Sequence, residues 1–411
     1  MTPEEAGRVF VDATAYADDE RFHAAATLLR RADPVHWVDE PDYLPFWAVT
    51  RHADIRSVER DNSLFLSAPR PLLQPAAFDI RDREQGRPIR TLIHMDEPDH
   101  KAYRAIAFDW FRPRTLATLE ERVSELAVRF VDHMVELGGA CDFVNDVALN
   151  FPLYVILSLL GLPESDFPRM LKLTQELFGG ADAELRRSED PEEQMQVLMD
   201  FYAYFSELTA RKRAEPAEDL ASTLANAKLG GDYLPDLDLV SYYVIVATAG
   251  HDTTSSTIAG GMLALAQNPD QYQRLRSDPA LMPTAVEEMI RWVTPVKEFM
   301  RTASADTEVG GQKIAAGDAL YLAYLSANRD EDVFADPFRF DIGRDPNNHL
   351  AFGIGPHFCL GAQLARMETR VLFTELAKRV EHVELAGPPA ASSTIFVGGL
   401  KRLPIRYTLA S

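Results

Sequence analysis

Cys359 stands in the segment Phe352-Gly-Ile-Gly-Pro-His-Phe-Cys-Leu-Gly361, directly before a stretch of helical periodicity. A cysteine at such a place has a chemical use. The free amides and macrodipole of a helix N-terminus favour thiolate over thiol. Flanking glycines let the backbone approach a flat group and point amides at the sulfur. A thiolate with no metal-binding neighbours suits an axial position of haem iron. A buried structural cysteine on a glycine-rich turn is the other reading. A dinucleotide-binding loop fits less well, because Gly353-x-Gly355 lacks the third glycine at the required spacing.

A second segment, Ala249-Gly-His-Asp-Thr-Thr254, interrupts a long apolar run. Asp and Thr compete with helical hydrogen bonds and are costly to bury unpaired. Gly250 weakens a helix by about 1 kcal/mol relative to alanine. Several local rules are broken within one turn, as happens at functional sites. A helix kink with a satisfied polar pair is the alternative. His251 reads as a surface or packing residue, with a relay role left open. Further on, His100 and Arg104 fall at i and i+4, so two nitrogen donors share one helix face and suit paired carboxylates. A solvated surface pair has the same spacing. Glu288 and Arg291, at i and i+3, suit a local ion pair.

These residues need elements to hold them. Helical spacing runs from Glu20 to Arg31, from Asp99 to about Leu275, from Pro283 to Trp292 and from Gly361 to Val380. Within the long stretch, Tyr242 to Ala266 predicts one central buried helix, and Ala214 to Gly231 a surface connection. Pro34 to Asp39 and Pro45 to Thr50 predict strands that pair in a small sheet. Glu298 to Leu325 turns to strands, with Gly310-Gly311 as a turn, and Val383 to Leu409 predicts short strands. Leu64 to Arg90 reads as a long loop, and Asp330 to His349 as irregular. The expected fold is mainly α with small β-sheets, in one domain over residues 1–411.

Bulk properties narrow the function. The 411 residues carry 42 Lys+Arg against 63 Asp+Glu, a net charge of −21. That balance argues against nucleic acid or an anionic membrane as partner. Two cysteines, Cys141 and Cys359, rule out a four-cysteine zinc site within the chain and argue against a secreted disulfide scaffold. Cys141 reads as a small buried hydrophobe. The N-terminal residues lack the basic and apolar regions of a signal peptide, and no apolar run reaches the roughly 20 residues of a membrane span, so a cytoplasmic protein is expected.

The run Phe-x-x-Gly-x-x-x-Cys-x-Gly resembles the signature of the cytochrome P450 family, and nearly the whole chain follows that family's motif order. The resemblance implies haem b held between the central helix and the cysteine loop, with Cys359 as the iron ligand. It implies that Phe352 packs on the porphyrin and that Gly353 and Gly361 shape the loop around it. His100, Arg104, Arg301 and His357 correspond to contacts of the haem propionates. Ala249 and Gly250 correspond to the oxygen side, where Gly250 lets the helix distort. Asp252 gates proton delivery and Thr253 hydrogen-bonds bound oxygen or its water. Glu288 and Arg291 match the family's structural pair, with Arg339 on the segment supplying a third partner.

The stretches Thr248–Ser256, Pro295–Ala303, Ser326–Glu331 and Phe396–Gly399 are similar to bacterial members that hydroxylate monoterpenes. By family position, Ile245, Ala249, Val296, Phe299, Phe396 and Val397 line the substrate pocket, and Leu64 to Ile93 forms its lid. The expected substrate is a small monoterpenoid or alkyl-aromatic; a steroid or fatty acid is the alternative. Electrons are expected from a separate [2Fe–2S] ferredoxin and its reductase, steered by Arg104, Arg112, Arg114, Arg366 and Arg370. A peroxide-driven enzyme or a non-catalytic haem sensor or carrier fits less well, because neither needs the Asp252–Thr253 pair.

Overall fold

The computed structural model describes residues 1–178, 184, 187–188 and 190–410. Of the stretch expected to be helical from Asp99 to Leu275, residues 179–183, 185–186 and 189 lie outside this part; helices dominate the remainder. The helix Pro113–Glu136 shows how the sequence forms them. Its buried Val123, Leu126, Ala127, Phe130, Val131 and Met134 recur at three- and four-residue steps, forming one apolar stripe. That stripe joins a large core cluster with Asn150–Leu159, Asp236–Ala249, Asp252–Gln267, Met282–Val293 and Ala362–Arg379. Each fully buried large apolar side chain there contributes roughly 1.5–3 kcal/mol.

The expected pairing near the N-terminus occurs: Val35–Val38 and Phe46–Val49 run antiparallel, with Val35 opposite Val49. They form the edge of a five-stranded sheet continued by Ala319–Ala323, Glu298–Ala303 and Phe65–Leu66. Gly310 and Gly311, at φ +57° and +86°, turn the hairpin between Thr307–Val309 and Gln312–Ile314. Near the other end, Val380–Leu385, Pro404–Leu409 and Ala140–Asp142 make a three-stranded sheet.

Three expectations change. The central apolar run is two helices, Asp236–Ala249 and Asp252–Gln267, broken at Gly250-His251. The Leu64–Arg90 loop contains a helix, Ala76–Gln85. Its Asp79 accepts from Arg70 Nε and Gln74 Nε2, both at 2.8 Å, so tertiary contacts support what periodicity does not reveal. The Ala214–Gly231 connection holds a short helix, Leu220–Ala225, capped by Asp219, and the first strand of a hairpin that turns at Gly230-Gly231.

Candidate active site

The cysteine loop leaves the irregular passage after Asp330 and ends at the helix Ala362–Arg379. The Cys359 amide donates to the Phe352 carbonyl at 2.9 Å, closing the loop on itself. Gly353 and Gly355 adopt φ +62° and +71°. At Gly355 an added Cβ would lie 2.5 Å from the Glu59 carbonyl oxygen, so the loop sits directly on the end of the helix His52–Arg60. Cys359 is accessible at its surface, yet deep enough that burial raises its thiol pKa. The Gly361 amide and the charges of Arg104 and Arg366 oppose that rise. Phe352 lies under the Arg366 guanidinium, 4.5 Å from its ring centre.

Four nitrogen-bearing side chains gather beside this loop. The His100 and His357 rings stack with centroids 4.0 Å apart. His100 Nε2 is buried without a partner, and His357 Nε2 meets Ser67 Oγ at 3.1 Å. Arg104 donates to the Phe358 carbonyl at 2.6 Å. Arg301 donates to the Met300 carbonyl and lies 3.7 Å from Glu59. Burial, followed by the charges of Arg301, His100 and Arg104, pushes His357 down to about 2. A cluster of donors that so disfavours further positive charge, with one buried nitrogen unanswered, suits a dianionic ligand. Together with an accessible sulfur at a helix N-terminus, these residues fit haem b.

The helix break supplies the opposite wall. Ala249 is exposed although Val246, Ala247 and Thr248 before it are buried. A Cβ on Gly250 would come within 2.9 Å of Ile156 Cδ1, so glycine permits the close helix approach here. The Thr253 hydroxyl donates to the Ala249 carbonyl at 2.8 Å, satisfying an acceptor at the break. Asp252 Oδ2 is buried without a partner, and its Oδ1 lies 3.4 Å from His251 Nδ1. His251 is not a surface residue: it is fully buried, and its Nε2 meets the Leu149 carbonyl at 2.8 Å.

The structure brings the expected pocket residues together in part. Val296 bridges Val397 across two chain segments, and the Phe299 and Phe396 rings meet edge-on at 5.7 Å. Ile245 is half-buried on the helix before the break. The segment from Leu64 to Ile93, expected to form the lid, is tied down on two sides. The Leu73 amide donates to Glu298 at 3.0 Å and the Met300 amide to the Pro71 carbonyl at 2.8 Å. Arg90 pairs with Asp238 at 3.1 Å, on the first turn of the helix Asp236–Ala249.

Glu288 and Arg291 form two 2.7 Å hydrogen bonds in full burial. The third member of the group is Arg344, whose Nε lies 3.1 Å from Glu288, and this corrects the expectation for Arg339. Arg339 is exposed and contributes its carbonyl, which accepts from Arg291 and Arg344. Neighbouring Glu287 binds Arg366 through two bonds of 2.6 and 2.9 Å, and Arg370 binds Glu120 at 2.6 Å. Those two arginines therefore tie the cysteine-side helix to its neighbours. Arg112 and Arg114 remain on the exposed surface, Arg112 3.1 Å from Asp109. Glu59, Ser67, Glu287 and Arg344 belong to the site's surroundings, and no local pattern marked them, because each meets the site across a long chain separation.

A family model described as Cytochrome P450 matches residues 73–385. The chain is 44% identical to Cytochrome P450-terp from Pseudomonas sp., covering 99% of this chain and 98% of that one. It is 36% identical to linalool 8-monooxygenase from Pseudomonas putida, covering 93% and 95% respectively. Among solved structures, it resembles CYP108D1 from Novosphingobium aromaticivorans with a TM-score of 0.92, 40% identity and full coverage of both chains.

Proposed function

The chain belongs to the cytochrome P450 family of haem b monooxygenases, and we propose that it hydroxylates a small terpenoid or alkyl-aromatic with Cys359 as iron ligand. The reading rests above all on one observation: the His100, His357, Arg104 and Arg301 cluster lies beside the Cys359 loop, with His100 Nε2 buried and unanswered. The two terpene-acting names among its relatives support the substrate class. So does the apolar contact of Phe299 with Phe396, beside the backbone bridge that joins Val296 to Val397.

Haem, when bound, uses O2, two electrons and two protons to place one oxygen atom in a substrate C–H bond and release the other as water. The protein's residues do the rest. Cys359 supplies the sulfur, and the Gly361 amide and nearby guanidiniums favour its thiolate. Arg104, Arg301, His100 and His357 hold the two carboxylates of the group. Ala249 leaves open surface at the helix break, and the apolar pocket orients substrate and excludes water. Asp252 holds a proton at its carboxylate and passes it toward the Thr253 hydroxyl, which is a donor and acceptor at once.

We take a separate [2Fe–2S] ferredoxin and its reductase as the electron source, with the exposed Arg112 and Arg114 on the docking face. A cytoplasmic location, where reduced ferredoxin is supplied, belongs to the same reading. Among the described residues no helix is long and apolar enough to cross a membrane.

The test begins with a reduced-CO spectrum of the purified haem protein. A strongly red-shifted Soret band is expected, and Cys359→Ala should abolish it. Titration with terpenes, alkylbenzenes, steroids and fatty acids follows. A low- to high-spin shift with small terpenoids or aromatics supports the substrate class; a shift confined to the large ligands overturns it.

A further inference from the structure

Glu59 is an acid in a site built for anions. Its side chain is 2% exposed, and its Oε1 lies 3.7 Å from Nη2 of Arg301, one of the groups gathered beside the Cys359 loop. That distance is too long for a hydrogen bond, and Arg301 Nη1 is given to the Met300 carbonyl at 2.8 Å. Neutral donors hold the carboxyl instead. The Tyr324 hydroxyl donates to Oε1 at 2.6 Å and the Ile354 amide to Oε2 at 3.2 Å. Gly353 closes over it: a Cβ there would stand 3.0 Å from Oε1. Burial pushes the Glu59 carboxyl up to about 7, against the charge of Arg301 and the bonds from Tyr324 and Ile354.

The other charged and titratable groups nearby do not neutralise it. Arg56, Arg60 and Asp61, on or next to its own helix, are exposed. Arg301 comes from the strand Glu298–Ala303, whose Glu298 is buried with Oε1 held by the Leu73 amide at 3.0 Å. Tyr324 comes from the short helix Tyr324–Ala327. On the cysteine loop, His357 is pushed down to about 2 by burial and then by the Arg301 charge, so it is neutral. Arg301 is thus a cation that Glu59 and the carboxylates of a bound haem share. Like charges drawing on one cation raise one another's pKa. With haem in place, Glu59 keeps its proton at neutral pH, and the site is spared a third negative charge.

We propose that Glu59 is a positioning residue whose proton sets the electron affinity of the bound haem, acting through Arg301. The inference rests on the reading of Arg301 as a contact of the haem carboxylates. On reduction, one electron arrives from the separate reductant, and the Glu59 carboxylate takes one proton from solvent, forming its O–H bond. Oxidation returns both. Protonated Glu59 is neutral and tolerates the added electron, whereas the carboxylate repels it. Electron affinity is therefore highest below the Glu59 pKa and falls as pH rises through it, upward from about 7.

The test is a spectroelectrochemical titration of the holoprotein from about pH 6 to about pH 9. Electron affinity should fall about tenfold across that range, which is about 59 mV for a one-electron couple. Glu59→Gln keeps the size of the side chain and cannot ionise. It should remove the fall and hold the potential at the parent's low-pH limit. Tyr324→Phe deletes a donor that favours the carboxylate, so the fall should move to higher pH. That variant carries the test should Glu59→Gln fail to hold haem. The parent's slope retained in Glu59→Gln, or an unmoved window in Tyr324→Phe, overturns the proposal; a merely structural role would change haem retention and leave the slope alone. Infrared difference spectra of reduced against oxidised protein give a second readout. A protonated-carboxyl stretch gained on reduction and missing in Glu59→Gln is expected, and its persistence in the variant overturns the assignment. Arg301→Gln separates the two readings. Unchanged haem release to apomyoglobin in that variant removes Arg301 as a haem contact, and this inference with it. Faster release, combined with a potential indifferent to pH in the parent, sinks the role of Glu59 alone.

Discussion

Gly355 and Glu59 are 296 residues apart in sequence, yet a Cβ on the glycine would stand 2.5 Å from the glutamate's backbone oxygen. The loop that presents Cys359 is therefore moulded on the end of the helix His52–Arg60. The same Glu59 reaches the loop through its carboxylate, which accepts from the Ile354 amide at 3.2 Å and the Tyr324 hydroxyl at 2.6 Å. Gly355→Ala combines left-handed strain with a backbone clash, a cost of about 2–5 kcal/mol. The expected result is loss of the red-shifted reduced-CO band at growth temperature, read spectroscopically against total protein. A variant with a normal band and unchanged melting would show that the loop can shift.

Thr253 donates to the Ala249 carbonyl at the helix break. Thr253→Ala removes the hydroxyl without touching the haem contacts. Haem content and the reduced-CO band should persist, while product formed per NADH falls by about tenfold and peroxide rises. Simultaneous assay of NADH, product and peroxide checks this. Unchanged coupling would contradict the role given to Thr253.

Glu287 ties the helix Met282–Val293 to the helix Ala362–Arg379 through Arg366. Burial pushes its carboxyl up, but bonds and charges from His349 and Arg366 outweigh this and hold it at about 2. A depressed carboxyl pKa adds stability that is complete above the unfolded value, about 4.5, and disappears as pH falls towards about 2. At neutral pH the shift corresponds to about 3 kcal/mol. Glu287→Gln should lower the unfolding midpoint at neutral pH, and the gap from the parent should narrow from about pH 5 to about pH 3. Thermal scans followed by haem release measure both. A gap constant with pH would assign the loss to packing rather than charge.

Arg112 and Arg114 stay on the exposed surface, whereas Arg366 and Arg370 are engaged with Glu287 and Glu120. Reversing the first two charges should slow ferredoxin-driven reduction about tenfold at low salt, with the difference shrinking as salt is added. Stopped-flow reduction across ionic strengths reads this. A rate indifferent to both the charges and the salt would move the docking face elsewhere.

The groups that could carry chemistry were legible in the sequence where short spacings determine them. The ten residues around Cys359 carry their own glycines and their own helix start, and Glu288 meets Arg291 one turn away. The rule-breaking turn at Gly250 to Thr253 was visible because it violates helix preference locally. Tertiary structure decided what depends on distant partners. Ile156 packs where a Gly250 side chain would stand, at a central helix that breaks in two although the apolar run reads as one. Arg344, not Arg339, joins the Glu288–Arg291 pair as its third member because the irregular passage folds back, which periodicity does not encode. Bonds to Glu298 and Asp238 fix the segment from Leu64 to Ile93, and Gly399 of the C-terminal segment meets Ser256. Local sequence determines which groups can do chemistry; long-range packing determines what reaches them.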